Sequence, residues 1–124
     1  MQANRNGYFY VLDRTNGELL LAKPFVKQLN WASGIGPDGK PQVLASSVPT
    51  PEGVKVCPSV EGASNWRSTA YNPATKLFYV MALEKCNILT RSDAVGKAGE
   101  SYSGRGAREV RGARSQNSRG ARYP

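Results

Sequence analysis

Histidine is absent from all 124 residues. That absence excludes Ser-His-Asp and Cys-His catalysis, the common zinc sites and covalent haem attachment through C-x-x-C-H. Cysteine is scarce. Cys57 and Cys86 are the two in the chain, too few and too far apart for a metal cage. They form either one disulfide or two buried thiols, and the residues alone leave both open. A bridge would stabilise by on the order of 3 kcal/mol and would place the chain in an oxidising compartment. No apolar run approaches the roughly 20 residues needed to span a membrane, and no signal-peptide pattern precedes the folded sequence. Acidic residues are the minority sign: nine Asp/Glu against 17 Lys/Arg give a formal +8. The excess is uneven, with nine Lys/Arg against six Asp/Glu in residues 1–90 and eight against three in 91–124.

What is present favours short strands. Thirteen Gly and eight Pro demand many turns. "YFYVL" at 8–12 is aromatic and β-branched, as strands prefer. "DRTNG" at 13–17 carries an Asn-Gly hairpin signal, and "ELLLAKPF" at 18–25 returns as far as Pro24. Residues 8–23 therefore read as a β-hairpin. The stretch 27–54 is loop-rich, with "ASGIGPDGKP" at 32–41 a wandering connection and Val43–Leu44 a possible short strand. A second hairpin is expected from a strand at 67–71, an Asn-Pro turn at 72–75 and "KLFYVMAL" at 76–83. Two aromatic-rich hairpins about 60 residues apart suit propeller blades or other stacked β units; two unrelated hairpins in one sandwich fit the pattern as well.

From Ser92 the composition shifts. "RGAR" recurs at 105–108, 111–114 and 119–122 among Ser, Gly and Gln. With so few apolar residues the segment cannot offset its ordering entropy, and disorder is expected. The division is thus a β segment at 1–103 and an Arg/Gly-rich tail at 104–124. Such a tail could bind nucleic acid through phosphates, making a small basic nucleic-acid-binding protein one alternative function. Only Tyr102 and Tyr123 flank the repeats, so the stacking residues of such a groove are missing and a solvated tail is the plainer reading. A purely structural β domain is a further alternative.

Three ordered segments carry a resemblance. "QANRNGYFYVLDRTNGELLLAKPF", "NWASGIGPDGKP" and "KVCPSVEGASNWRSTAYNPATKLFYVMALEKCN" are similar to the pyrroloquinoline-quinone (PQQ)-dependent alcohol dehydrogenases, the periplasmic quinoproteins of the methanol and ethanol dehydrogenase type. The resemblance covers about residues 2–90. It implies an all-β fold: about two blades of an eight-bladed propeller, followed by the disordered basic tail. It implies PQQ near the propeller axis above a calcium ion, primary alcohol as substrate, and cytochrome c or a quinone as electron acceptor. A chain of this length reads as a fragment that needs the remaining blades and turns over no alcohol alone.

Residue by residue, the resemblance places Arg5 of "NRNG" beside the quinone's reactive carbonyls. A fixed cation there polarises a carbonyl and stabilises the negative charge that develops on it. Arg is suited to this because its charge is permanent and its donors form a planar fork. Asn65 of "GASNW" matches an amide at the same end of the quinone, able to donate to an oxygen. Trp66 lines the pocket or packs as a blade aromatic, and Arg67 carries no implied role. The resemblance also pairs Cys57 with Cys86, rooting the "GASNW" loop beside the second hairpin. The family's catalytic carboxylate and metal ligands match no residue here, and Asp13 sits in a turn.

Overall fold

The structure is a computed structural model that describes residues 1–92, 95–102 and 105–109. Its strands are β1 (Gln2–Ala3), β2 (Tyr8–Leu12), β3 (Leu19–Pro24), β4 (Ala32–Ile35), β5 (Pro41–Val43), β6 (Val54–Val56), β7 (Ala70–Asn72), β8 (Leu77–Tyr79), β9 (Asn87–Arg91) and β10 (Arg105–Glu109). One 3-10 turn, Ala45–Ser47, is the sole helical element among the described residues. No described helix is long and apolar enough to cross a membrane.

The strands form four small antiparallel sheets: β1-β2-β3, β4-β5, β7-β8 and β10-β9-β6. The first hairpin follows its sequence pattern, with Tyr8 opposite Pro24 and Tyr10 opposite Ala22. Its turn is longer than two residues. Asp13 N donates to the Glu18 carbonyl at 2.8 Å and Gly17 N to the Asp13 carbonyl at 2.9 Å. The Asp13 carboxylate accepts from both the backbone N–H and the hydroxyl of Thr15. These bonds, the hydroxyl first, hold the Asp13 carboxyl below its ordinary pKa. Asp13 is thus a turn residue, as expected of it.

The wandering connection at 32–41 is itself a hairpin. β4 and β5 pair Ala32 with Val43 and Ile35 with Pro41, and Gly36 N donates to the Lys40 carbonyl at 2.8 Å. Short Gly-rich strands lack the β-branched composition that would have marked them. The second hairpin is shorter than its pattern. β7 starts at Ala70 and β8 ends at Tyr79, because the flanking backbone bonds elsewhere. Leu83 N donates to the Ala63 carbonyl and the Lys85 carbonyl accepts Ser59 N, each at 2.8 Å. Those residues serve a loop rather than a partner strand.

β9 was absent from the sequence expectation and is the centre of its sheet. It pairs Leu89 with Val54 on one side and with Ala107 on the other. Five residues of the segment expected to be disordered, Arg105–Glu109, therefore form a strand; residues 110–124, with the other two "RGAR" copies, lie outside the described residues.

The core is small. Tyr8, Phe9, Val26, Ala32, Cys57, Ala63, Cys86 and Leu89 are buried. Phe9 packs on Phe78 with ring centroids 5.2 Å apart, and Tyr8 meets Trp31 edge-on at 6.2 Å. Burial, with the neighbouring Tyr10 second, raises the Tyr8 pKa.

Candidate functional site

Arg5 stands at the tip of the turn joining β1 to β2. Asn4 N donates to the Tyr8 carbonyl at 3.0 Å and Gly7 N to the Asn4 carbonyl at 3.1 Å. Two asparagine side chains close the same turn: Asn4 Oδ1 accepts Asn6 N at 3.1 Å and Asn6 Oδ1 accepts Tyr8 N at 3.0 Å. Asn and Asp suit such positions because their side chains mimic a backbone turn. The "NRNG" motif therefore presents one cation on a bonded support.

The loop at 57–65 is held from several directions without forming a strand. Cys57 is bonded to Cys86, with Cα atoms 4.4 Å apart, as the resemblance implied. Cys57 N donates to Asn30 Oδ1 at 2.8 Å. Ser59 N reaches the Lys85 carbonyl at 2.8 Å, and Val60 N reaches the Asn87 side-chain oxygen at 2.8 Å. Lys85 pairs with Glu61 at 3.4 Å. Ala63, fully buried, receives no strand neighbour but donates its N–H to the Arg5 carbonyl at 2.8 Å.

Arg5 and this loop are in direct contact. The Arg5 guanidinium donates through Nη2 to the Val60 carbonyl at 2.8 Å. Gly62, at φ +87°, lies where a Cβ would stand 2.8 Å from Arg5 Cβ and 3.0 Å from the Arg5 carbonyl oxygen. Only a glycine adopts that backbone without strain and lets the two segments approach so closely. Asn65 Nδ2 donates to the Glu61 carbonyl at 2.9 Å. The structure thus puts Arg5 and Asn65 on consecutive carbonyls of one loop. Trp66 is 80 % exposed and Arg67 is exposed beside it.

A groove of about 340 Å³ runs beside this contact, lined by Asn4, Arg5, Asn6, Trp31, Ser59 and Gly62 among others. Ser59 is 8 % exposed and its hydroxyl has no hydrogen-bond partner among the described residues. A larger cavity of about 460 Å³ lies between the first hairpin and the turn at 37–39. Asn65 and Trp66 line neither. Sequence reasoning passed over Asn87 and Gly62. No local signal marks either: Asn87 lies in a strand absent from the sequence expectation, and Gly62 matters for what it meets 57 residues away.

No family model matches the chain. Relatives do. Quinoprotein alcohol dehydrogenase PedH of Pseudomonas putida is 40% identical over 111 residues, covering 84% of this chain and 19% of its own length. Lanthanide-dependent methanol dehydrogenase of Methylacidiphilum fumariolicum is 36% identical over 82% of this chain and 17% of its own. Among solved structures, a europium-containing methanol dehydrogenase superposes with a TM-score of 0.71 at 36% identity, over 83% of this chain and 18% of that one. The chain belongs to the PQQ-dependent quinoprotein alcohol dehydrogenases.

This quinoprotein segment spans about a fifth of the length of these curated relatives, and its fold is part of their β-propeller. Two of the relatives' names carry a lanthanide or europium, so the calcium expectation becomes the broader one of a metal ion. No group of three or more His, Cys, Asp or Glu residues able to hold a metal occurs among the described residues. Donor groups that could meet one edge of PQQ are present: Arg5 carries a cation and Ser59 an orphaned hydroxyl beside the groove, while the Asn65 amide lies outside its lining. A guanidinium has five N–H donors, and the Val60 carbonyl takes one of them.

Proposed function

We propose that this quinoprotein segment forms one edge of a PQQ site in an enzyme that oxidises primary alcohols. When bound, PQQ supplies the two-electron acceptor for that oxidation. Arg5 would hold positive charge at the cofactor's carbonyl oxygens, where negative charge accumulates during reduction, and a charge fixed in advance costs no reorganisation. Asn65 would donate to a neighbouring oxygen, while Trp66, which lines neither cavity, would stand outside the groove. The metal and the general base would come from further blades, and electrons would leave to a cytochrome c or a quinone. The disulfide supports a periplasmic setting, since bridges persist in oxidising compartments.

The observation that carries this reading is that Arg5 and Asn65 are held on consecutive carbonyls of one disulfide-rooted loop. Equilibrium dialysis of PQQ against the 124-residue chain tests it. A hydrogen bond to a charged group contributes about 1.5–3 kcal/mol, so Arg5→Ala should weaken binding by about tenfold or more. Arg5→Lys should retain part of the affinity. Equal affinity for the parent chain and for both Arg5→Ala and Asn65→Ala would sink the proposal. Dye-linked alcohol oxidation by the chain alone should stay at background.

A further inference from the structure

Asn87 is buried, 6 % exposed, and stands where polar side chains are least expected, in the middle strand of a sheet. Its backbone is paired on both sides, with Val56 of β6 and with Glu109 of β10. It also follows Cys86 directly, so the disulfide fixes its position along the chain. Its side-chain oxygen is spent on a single target: it accepts the Val60 backbone N–H at 2.8 Å, across 27 residues of sequence. Val60 in turn gives its carbonyl to the Arg5 guanidinium at 2.8 Å.

We propose that Asn87 is a positioning residue for Arg5, setting the guanidinium through the Val60 backbone; this rests on the reading of Arg5 as a cofactor contact. The geometry supports a specific division of labour. The Arg5 backbone is already held by Ala63 N, which places Cα and Cβ but leaves a long side chain free to rotate. The Val60 carbonyl is the group that selects among those rotamers, and a carbonyl can do so only if its own residue is fixed. Val60 is 44 % exposed, so packing alone does not fix it. The Asn87 amide does, from a strand that is hydrogen-bonded on both edges. Rigid elements position functional groups more closely than loops do, and here a strand lends that rigidity to a loop.

The test uses the 15N-labelled 124-residue chain with three variants and two readouts. Asn87→Leu keeps the size and removes the acceptor. Asn87→Val is short, suited to a strand and without an acceptor, and covers the case in which leucine disturbs folding. Asn87→Asp keeps an acceptor at the same reach. The first readout is hydrogen exchange of the Val60 amide together with the Arg5 side-chain N–H resonances; the second is PQQ affinity.

Asn87→Leu or Asn87→Val should speed Val60 exchange by about tenfold and shift the Arg5 resonances, while exchange at buried Phe9 stays unchanged. PQQ affinity should fall several-fold, and Asn87→Asp should restore both readouts. Unchanged Val60 exchange and Arg5 resonances in the two variants that lose the acceptor would overturn the proposal. So would a loss that Asn87→Asp fails to rescue. If Arg5→Ala leaves PQQ binding intact, the cofactor reading fails by itself, and the exchange and resonance data still decide what Asn87 does.

Discussion

The loop at 57–65 and the hairpin β7–β8 sit side by side in sequence and differ in opposite senses. The hairpin has regular secondary structure, yet all three residues of β7 are exposed and Tyr79 is 44 % exposed. The loop has none, yet Cys57, Ser59, Gly62, Ala63 and Ser64 are buried. Regular hydrogen bonding is therefore a poor guide to burial in this chain. The loop gains its order from long-range tethers: a disulfide, an amide from β9, a backbone bond to Arg5 and an ion pair with Lys85. The hairpin is held by its own three-residue ladder and by the Phe78–Phe9 ring contact. Tethers from two separate parts of the chain, Arg5 and residues 85–87, suit a loop that must present side chains at fixed places.

Cutting the disulfide is the strongest way to break the contrast. The Cys57→Ala/Cys86→Ala chain closes no loop across the 29-residue separation, and a bridge of that span contributes about 3 kcal/mol. Urea unfolding should show that loss. In native-state hydrogen exchange the protection of the 57–65 amides should fall toward that of the hairpin, whose own protection changes little. Equal losses in both regions would mean that loop and hairpin form one cooperative unit, with no difference in how they are held.

Much of this was legible in the residues, and the remainder had a common cause. The "YFYVL" and "ELLLAK" strands follow local composition, and the structure agrees with them because the periodicity and turn signals are local. Arg5 and Asn65 were singled out through motif resemblance, and the structure brings their side chains onto consecutive carbonyls of one loop. β4 was hidden by Gly and Ser, which carry little strand signal. β9 was missed although Ile88 and Thr90 favour strands, because nothing was assigned between the second hairpin, read as ending at residue 83, and the tail. Asn87 and Gly62 could not have been found by local rules. Their importance lies in what they meet at separations of 27 and 57 residues, and sequence pattern does not report which distant groups converge.

Gly62→Ala asks a narrower question, whether the contact between Arg5 and the loop depends on close approach. Two costs add: a left-handed φ of +87° and a Cβ pressed to 2.8 Å from Arg5 Cβ. Together they should destabilise by about 1–3 kcal/mol. Gly39 is the control, since it has φ +77° and a Cβ added there would meet nothing within 4 Å. Gly39→Ala should cost about 1 kcal/mol, and the excess at Gly62 measures the crowding. Arg5 side-chain resonances should move in the Gly62 variant only. Equal costs at the two glycines would show that Arg5 yields freely and that the approach is unimportant.

The smallest expected effect on stability comes from Trp66, and it separates the groove from the loop's outer edge. A side chain 80 % exposed packs against little, so Trp66→Ala should shift the unfolding free energy by no more than about 0.5 kcal/mol. The chain has two tryptophans, so this variant leaves Trp31 as the only indole. Trp31 lines the groove beside Arg5 and donates through Nε1 to the Asn6 carbonyl at 2.9 Å. Its emission should lie to the blue of the parent's. Added PQQ should still quench it, because the cofactor edge assigned to Arg5 faces the same groove. Quenching that disappears with Trp66 would put the ligand on the exposed side of the loop, away from Trp31. The tethered interior would then be only the scaffold for a site outside it.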